Sequence, residues 1–380
     1  MQNTDSHYPV GGYRASLYHL GVLWRMHEIG LLQKMDIISS VSGGSITAAH
    51  LALQWENLQK NKDNFREIIA DPLIEFTTTK TIDTPAIFVG TLSPFSTIGD
   101  QVAKSYDELF HHQTLQQFPE PAKAGNPVFS ILATNLKNGL QVKFRRNCFF
   151  HYPIGYLPAP NIPVSVAVSA SSAFPPVLSP VTLKLAPDTD FFPTTKKGDI
   201  DVDVKNQTNS DYKFEYELGD GGIYDNLGYE DIDKVDIAFV SDAGKKHRSR
   251  ESYNAFWPLQ LRPLIGMIDA QVRSLRLQEV YRGTNGGRTG AFWQIHRDQS
   301  LYEGVVTRDE WEFTAAEVDL LANESTRLKP PKQSAESLIN WGYTSFDNAF
   351  RKFYKDSDSF TADFNLPCSE DCVENDDTNM

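Results

Sequence analysis

The sequence predicts an α/β protein organised around a mostly parallel sheet, and its first 55 residues carry most of that reading. Residues 15–35, "ASLYHLGVLWRMHEIGLLQKM", set Leu17, Leu20, Leu23, Trp24, Met26 and Leu31 at three- and four-residue spacing. That is the period of an amphipathic helix, with Gly30 as its breaker. A short strand is expected over Asp36–Ser40, then a tight turn at Ser42, then a helix from about Ser45. Helix, strand, tight turn and helix in succession is the order a parallel sheet requires.

Later segments continue the pattern. "PVFSILATNL" (127–136) reads as a buried strand and "LQVKFRR" (140–146) as its hairpin partner. "VSVAVSASSAFPPVLSP" (164–180) begins as a small-residue helix that Pro175-Pro176 stops. "VDIAFVSDAG" (235–244) is a strand ending at a turn, "AQVRSLRLQEVYRG" (270–283) a helix, and "GRTGAFWQIHR" (287–297) a glycine turn leading into a strand. Two insertions interrupt the series. Residues 56–125 are mostly polar helical sequence around "PAIFVGTLSPFS", and residues 184–217 are polar and end in the alternating "YKFEYEL". Each serves either as lid material or as surface decoration. The aromatic, proline-rich run 148–160, "CFFHYPIGYLPAP", is either a packed irregular segment or an interfacial loop. No internal repeat and no clean linker is present.

A chain of 380 residues can bury a large core, and 40% hydrophobic against 22% charged residues is a globular composition. The net charge of −13 argues against nucleic acid as the main partner, since a phosphate backbone needs a basic surface. A local patch can still dock an acidic protein on a membrane; "KKHRSR" (245–250) is one candidate, or a solvated loop. The three cysteines, Cys148, Cys368 and Cys372, form neither a disulfide framework nor a zinc spacing. The last two sit in an acidic tail, 366–380, read as solvated and disordered, behind a domain spanning 1–365. The polar "MQNTDSHYPV" is no signal peptide, and no apolar run is long enough for a membrane span. A cytoplasmic protein, or one peripheral to a membrane, is expected.

Three short motifs could carry chemistry. Ser42 lies in Ser40-Val41-Ser42-Gly43-Gly44, between the first strand and the next helix. Small neighbours let the backbone form an elbow that exposes a nucleophilic hydroxyl; the alternative is an ordinary small-residue turn. The usual pattern is G-x-S-x-G, and Ser40 stands where its first glycine would be. "VGGYRAS" (10–16) puts Gly11 and Gly12 at a helix start, where backbone N–H groups can face a phosphate or an acyl oxyanion. It lacks the lysine of a P-loop, which disfavours nucleotide binding. "LGDGGIYDNLGYEDI" (218–232) flanks Asp220 with Gly221-Gly222. That carboxylate is a candidate base, an Asx-turn, or part of a calcium loop with Asp225 and Asp231.

Taken together and in this order, the motifs resemble those of the patatin-like phospholipase family. Its members carry a glycine-rich oxyanion loop with an arginine, a G-x-S-x-G elbow and a D-G-[GA] motif. The resemblance spans about residues 9–290. "SASSAFPPV", "SDAG" (241–244) and "DAQVRSLR" (269–276) add secondary matches. It implies a three-layer sandwich with a central, mainly parallel sheet and the insertions as a cap. It also implies Ser42 as nucleophile, Asp220 as its base, and Gly11, Gly12 and the Gly43 N–H as oxyanion hole. Arg14 matches the family's arginine, which binds a lipid phosphate or braces the loop. The implied activity is hydrolysis of carboxylic esters in phospholipids or lysophospholipids through an acyl-enzyme, with no metal or organic cofactor and with peripheral membrane contact.

There are two departures from the family pattern. Val10 replaces a glycine, and "QNTDSHYP" does not read as the apolar strand that should precede the loop. Either the sequence is shortened at its start or the sheet lacks an edge or central strand. A general esterase or triacylglycerol lipase would share every residue named, and a non-catalytic lipid-binding protein stays open because of Val10 and Ser40. The resemblance also implies a dyad without a catalytic histidine. His19 and His27 fall in the first helix and His50 two turns past Ser42, while His247 and His296 are the only late-chain candidates for a triad.

Overall fold

The computed structural model describes residues 12–79, 98–121, 123, 125–175, 178–192, 213–244, 257–297, 299–302, 313–324 and 330–368. The expectations placed on Gly11, Val10, "PAIFVGTLSPFS", "KKHRSR", His247 and the tail beyond Cys368 lie outside them. In chain order the principal elements begin with α1 (Tyr13–Glu28), β1 (Ile37–Val41), α2 (Gly43–Lys60), α3 (Asp71–Thr79) and α4 (Ile98–Phe110). The strands β2 (Val128–Asn135), β3 (Leu140–Phe144), β4 (Cys148–His151) and β5 (Gly155–Pro158) follow. Then come α5 (Val164–Ser172), β6 (Val181–Lys184), β7 (Glu215–Asp220), β8 (Ile237–Asp242), α6 (Trp257–Asn285), β9 (Thr289–Gln294), α7 (Ala315–Asn323) and α8 (Lys332–Phe353).

The expectation of a mainly parallel central sheet is overturned. Among the described residues the main sheet runs β5-β4-β3-β2-β7-β6, with β1 pairing β2. Only β1–β2 is parallel in it; β2–β3, β3–β4, β4–β5, β2–β7 and β6–β7 are antiparallel. The cause is local. Four residues between β2 and β3, and three each between β3 and β4 and between β4 and β5, leave no length for a crossover, so each strand must fold back on the last. The hairpin at 127–146 was legible, but its continuation through 148–158 was not. The aromatic run read as irregular or interfacial is the β4–β5 hairpin, with Phe149 and His151 buried inside it. Parallel pairing survives where a helix intervenes: β1 reaches β2 through α2, α3 and α4, and β8 reaches β9 through α6 in a separate two-stranded sheet.

The pairing registers fix one feature that everything at the site depends on. On β2, β3 occupies one edge from Ile131 to Asn135. The pairings of β1 with Val128–Leu132 and of β7 with Ala133–Asn135 overlap that range, so both must lie on the opposite edge. β1 runs with β2 and ends at Val41 opposite Leu132, whereas β7 runs against it and ends at Asp220 opposite Ala133. Their C-terminal ends therefore meet head to head.

A helical layer packs on this framework. α1 is buried nearly all round and not amphipathic as its spacing suggested, because α8 covers the side a surface helix would leave in water. The two helices touch through glycines: a Cβ on Gly21 would strike the Ile339 carbonyl, and one on Gly342 the Tyr18 carbonyl. Arg25 Nε donates to Asp347 at 2.7 Å across the same contact. Between β1, β8 and α1 lies a cavity of about 540 Å³, lined by Val22, Leu23, Met26, Ile38, Phe239 and Val240. No described strand runs between β1 and β8.

The α1–α8 contact gives a stability prediction. Gly342→Ala forces the helix backbones apart, and overpacking of this kind costs typically about 1–3 kcal/mol. A Cβ on Gly266, within α6, meets nothing within 4 Å, so Gly266→Ala should be neutral or stabilising by up to about 1 kcal/mol. Thermal melts of the two variants beside wild type check the contrast.

Candidate active site

Ser42 links β1 to α2 with φ 53° and ψ −133°, a left-handed-side conformation that an L-residue adopts only when its surroundings impose it. Its neighbours explain why the sequence supplies glycine next. A Cβ on Gly43 would run into the carbonyl and Cα of Gly12, so the Gly12 turn lies directly over the elbow. Gly12 itself has φ 147° and caps α1, where its carbonyl accepts from the Ser16 amide at 2.8 Å. Two segments read separately as an elbow and a glycine loop are thus in direct contact. The amides of Gly43 and Gly44 belong to the first turn of α2, where N–H groups have no intrahelical acceptor and the helix dipole favours an anion.

Asp220 closes the site from the other side. Its main chain is held at both ends, the amide donating to Ala173 O at 2.8 Å and the carbonyl accepting from Thr134 Oγ1 at 2.8 Å. The side chain is 2% exposed. Oδ1 accepts from the Gly222 amide at 2.7 Å, an Asx-type turn of the kind "DGG" suggested. Burial lifts its pKa to about 7, against the hydrogen bonds from the Gly222 amide and the Ser42 hydroxyl that favour the charged form; the Asp269 carboxylate adds to the rise. Gly221 must be glycine, since a Cβ would strike the Leu132 carbonyl at the β1–β7 junction.

Arg14 is buried and spends its guanidinium on main-chain carbonyls. Nη2 donates to Ala243 O at 3.1 Å, and Nη1 to Ala322 O at 2.9 Å and Glu324 O at 3.4 Å. Burial lowers its pKa to about 10, with Asp242 opposing the shift. These are the contacts of a brace tying α1 to the end of α7 and to the turn after β8. Of the two roles expected for Arg14, bracing has partners here.

The carboxylates that suggested a calcium loop are already paired. Asp231 receives Lys143 Nζ and Arg145 Nη2, both at 2.5 Å. Asp225 accepts from the amides of Leu227 at 3.1 Å and Glu230 at 2.9 Å, and faces Arg276 Nε at 3.8 Å. Among the described residues no cluster of His, Cys, Asp and Glu suits a metal ion. Two of the early histidines point elsewhere, His27 Nε2 contacting Lys62 O and His50 Nε2 contacting Ile68 O, whereas the His19 ring packs against Gly44. Burial drives His19 and His50 down to about 4, leaving them neutral.

Sequence reasoning missed the hydroxyls beneath the elbow. Ser171 accepts the Ser42 amide at 3.0 Å, and its Oγ lies 2.8 Å from that of Ser45. The repeated serines of "SASS" were visible as small helix residues, but no spacing rule connects residue 171 with residue 42.

A family model described as Patatin-like phospholipase matches residues 11–233, most of the stretch over which the motifs resemble that family. Among solved structures, the chain is similar to VipD from Legionella pneumophila at 14% identity, with a TM-score of 0.35, over 90% of this chain and 66% of that one. No curated protein matches.

The electrostatics of Asp220 give a prediction on stability. A carboxyl with a folded-state pKa of about 7 and an unfolded value of about 3.9 binds more protons in the native state, so its contribution is lost as pH rises through 7. Asp220→Asn keeps an acceptor for the Gly222 amide without the buried charge. The variant should melt above wild type at pH 8, and the difference should vanish at pH 4. Melting curves across that range test the sign.

Proposed function

Because the chain belongs to the patatin-like phospholipase family, as its match over residues 11–233 shows, we propose that it hydrolyses lipid esters with Ser42 as nucleophile and Asp220 as sole base. Family membership supports lipid hydrolysis in general; the dyad and the phospholipid or lysophospholipid substrate are our reading. The observation that carries it is the juxtaposition of a strained, partly exposed Ser42 with a buried Asp220 held near neutrality.

In this mechanism Asp220 takes the Ser42 proton as Oγ attacks the ester carbonyl. Burial makes the carboxylate a stronger base than in water, and a pKa near the working pH suits a group that must both accept and return a proton. The oxyanion that develops meets the amide of Gly43 at the start of α2 and those of the Gly12 turn. Collapse expels the alcohol, a lysophospholipid or a glycerophosphodiester, with the proton from Asp220. Water, activated by the same carboxylate, then attacks the acyl-serine and releases the fatty acid. No step requires a metal or an organic cofactor.

Peripheral membrane contact is part of the proposal. Among the described residues no helix is long and apolar enough to cross a membrane. A candidate contact is the stacked pair Tyr156 and Phe192, ring centroids 5.5 Å apart and 38% and 48% exposed at the sheet edge. Aromatic side chains of this kind suit a membrane interface.

Ser42→Ala should remove turnover on a panel of phospholipids, lysophospholipids and triacylglycerols, by on the order of a millionfold as in comparable serine hydrolases. A fluorophosphonate adduct should map to the Ser42 peptide. Labelling of another serine, or equal turnover by wild type and variant, would sink the assignment. Asp220→Asn should likewise be inactive, whereas His247→Ala and His296→Ala keep most of the wild-type rate; a folded, inactive histidine variant points to a triad.

Gly12→Ala has room for its methyl, the nearest atom being Ile46 Cδ1 at 3.5 Å, but φ 147° disfavours any Cβ. The turn should therefore shift its amides, and loss of one oxyanion donor costs roughly a hundred- to a thousandfold in kcat. Full activity in that variant would exclude the loop from the oxyanion hole.

A further inference from the structure

Beneath the elbow lies a run of buried hydroxyls whose direction can be worked out by counting protons. Ser45 Oγ donates to Ser40 Oγ at 3.0 Å, and Ser40 Oγ donates to the Ser130 carbonyl at 3.3 Å. Each hydroxyl has one proton to give. Those of Ser45 and Ser40 are spent, so the proton in the 2.8 Å contact between Ser45 and Ser171 must come from Ser171. Ser171 Oγ is then free to accept from the Ser42 amide, at 3.0 Å. The chain runs one way, from the Ser42 N–H through Ser171, Ser45 and Ser40 to the Ser130 carbonyl in β2.

The same turn of α5 also holds the carboxylate. The Gly221 amide donates to the Ser171 carbonyl at 3.1 Å, and the Asp220 amide to the Ala173 carbonyl at 2.8 Å. Ser171 is fully buried, as is Ser45, so water cannot replace these bonds. One residue thus grips the nucleophile's main chain with its side chain and the base's turn with its main chain. Ser40, which departs from the glycine of the G-x-S-x-G pattern, is the donor that ends the chain.

We infer that Ser171 is a positioning residue that sets Ser42 against Asp220, with Ser45 and Ser40 fixing the orientation of its hydroxyl. The inference rests on the reading of Ser42 and Asp220 as the reacting pair. Removing the Ser171 hydroxyl takes the acceptor from the part-buried Ser42 amide and frees the strained elbow to relax. The Ser42 hydroxyl then turns from Asp220. The groups acting on that carboxylate are the Gly222 amide, the Ser42 hydroxyl and the Asp269 carboxylate from α6. Losing the hydroxyl among them raises the pH at which Asp220 ionises.

The test compares wild type, Ser42→Ala, Ser171→Ala, Ser171→Cys and Ser40→Gly on a soluble short-chain p-nitrophenyl ester across pH 5–9. Hydrogen exchange of the peptide spanning Ser42 is followed in parallel. In Ser171→Ala, kcat should fall by roughly five- to a hundredfold, as for one buried hydrogen bond. KM should stay near the wild-type value, the ascending limb should move to higher pH, and exchange at the elbow should quicken. Ser171→Cys keeps a weak acceptor in place and should recover part of the rate; Ser40→Gly should lose less than Ser171→Ala. A folded Ser171→Ala with wild-type kcat and pH limb overturns the inference. So does a slower enzyme whose limb is unmoved and which cysteine does not help. If wild type proves no faster than Ser42→Ala, the catalytic reading fails by itself. Elbow exchange equal in wild type and Ser171→Ala then refutes the tie as well. Should Ser171→Ala not fold, Ser171→Cys carries the same readouts.

Discussion

Everything at the site follows from two strands meeting end to end on one edge of β2. β1 stops opposite Leu132 and β7 opposite Ala133, approaching from opposite directions. Adjacent residues of a single strand therefore hold, through ladder hydrogen bonds, two segments 179 positions apart in sequence (220 − 41). A strand end is a good place for a reactive group, because the backbone below it is rigid and the residue beyond it is released from pairing. Here two ends meet: Ser42 lies just past β1, Asp220 is the last residue of β7, and the Ser42 hydroxyl hydrogen-bonds the Asp220 carboxylate.

The junction is costly to build. Ser42 sits in a conformation that L-residues avoid, and Asp220 is a carboxyl taken out of water. Neither is favourable alone. The elbow persists because its amide has a buried acceptor and because Gly43 and Gly221 let main chain pack where any Cβ would collide with a carbonyl. The carboxyl persists because it can hold its proton: burial lifts its pKa to about 7. The structure thus carries a local instability at neutral pH, and in the proposed mechanism the same carboxylate is the base that accepts the Ser42 proton.

The second layer stabilises this arrangement from outside. α1 begins at the Gly12 turn and is clamped against α8 by reciprocal glycines and by Arg25–Asp347. Arg14, in the first turn of α1, reaches the carbonyls of Ala243, Ala322 and Glu324 and so couples the turn to the second sheet and to α7. Asp242 is held by Gln294 Nε2 at 2.9 Å and by its own Asx turn at Gly244. The "SDAG" and "DAQVRSLR" segments act here, as supports: Asp225 meets Arg276, and Asp242 meets Arg273. Neither segment touches Ser42 directly in any of these contacts.

The sequence by itself determined the local elements and the chemistry each could offer. The strand before Ser42, the helix after it, the hairpin at 127–146 and the glycine-flanked Asp220 all follow from spacing and side-chain volume, which act over a few residues. The family match over 11–233 covers those same motifs. What the sequence could not yield was the pairing. A mainly parallel sheet was the natural extrapolation from one helix–strand–turn–helix unit, but three successive short connections made β2 to β5 antiparallel and β7 pairs antiparallel with β2 and β6 across long stretches of chain. Register, the head-to-head approach of β1 and β7, the burial that lifts Asp220, and the acceptor that Ser171 gives Ser42 all join residues far apart in the chain. They were decided only by tertiary structure, because hydrogen-bond partners and desolvation depend on what lies nearby in space.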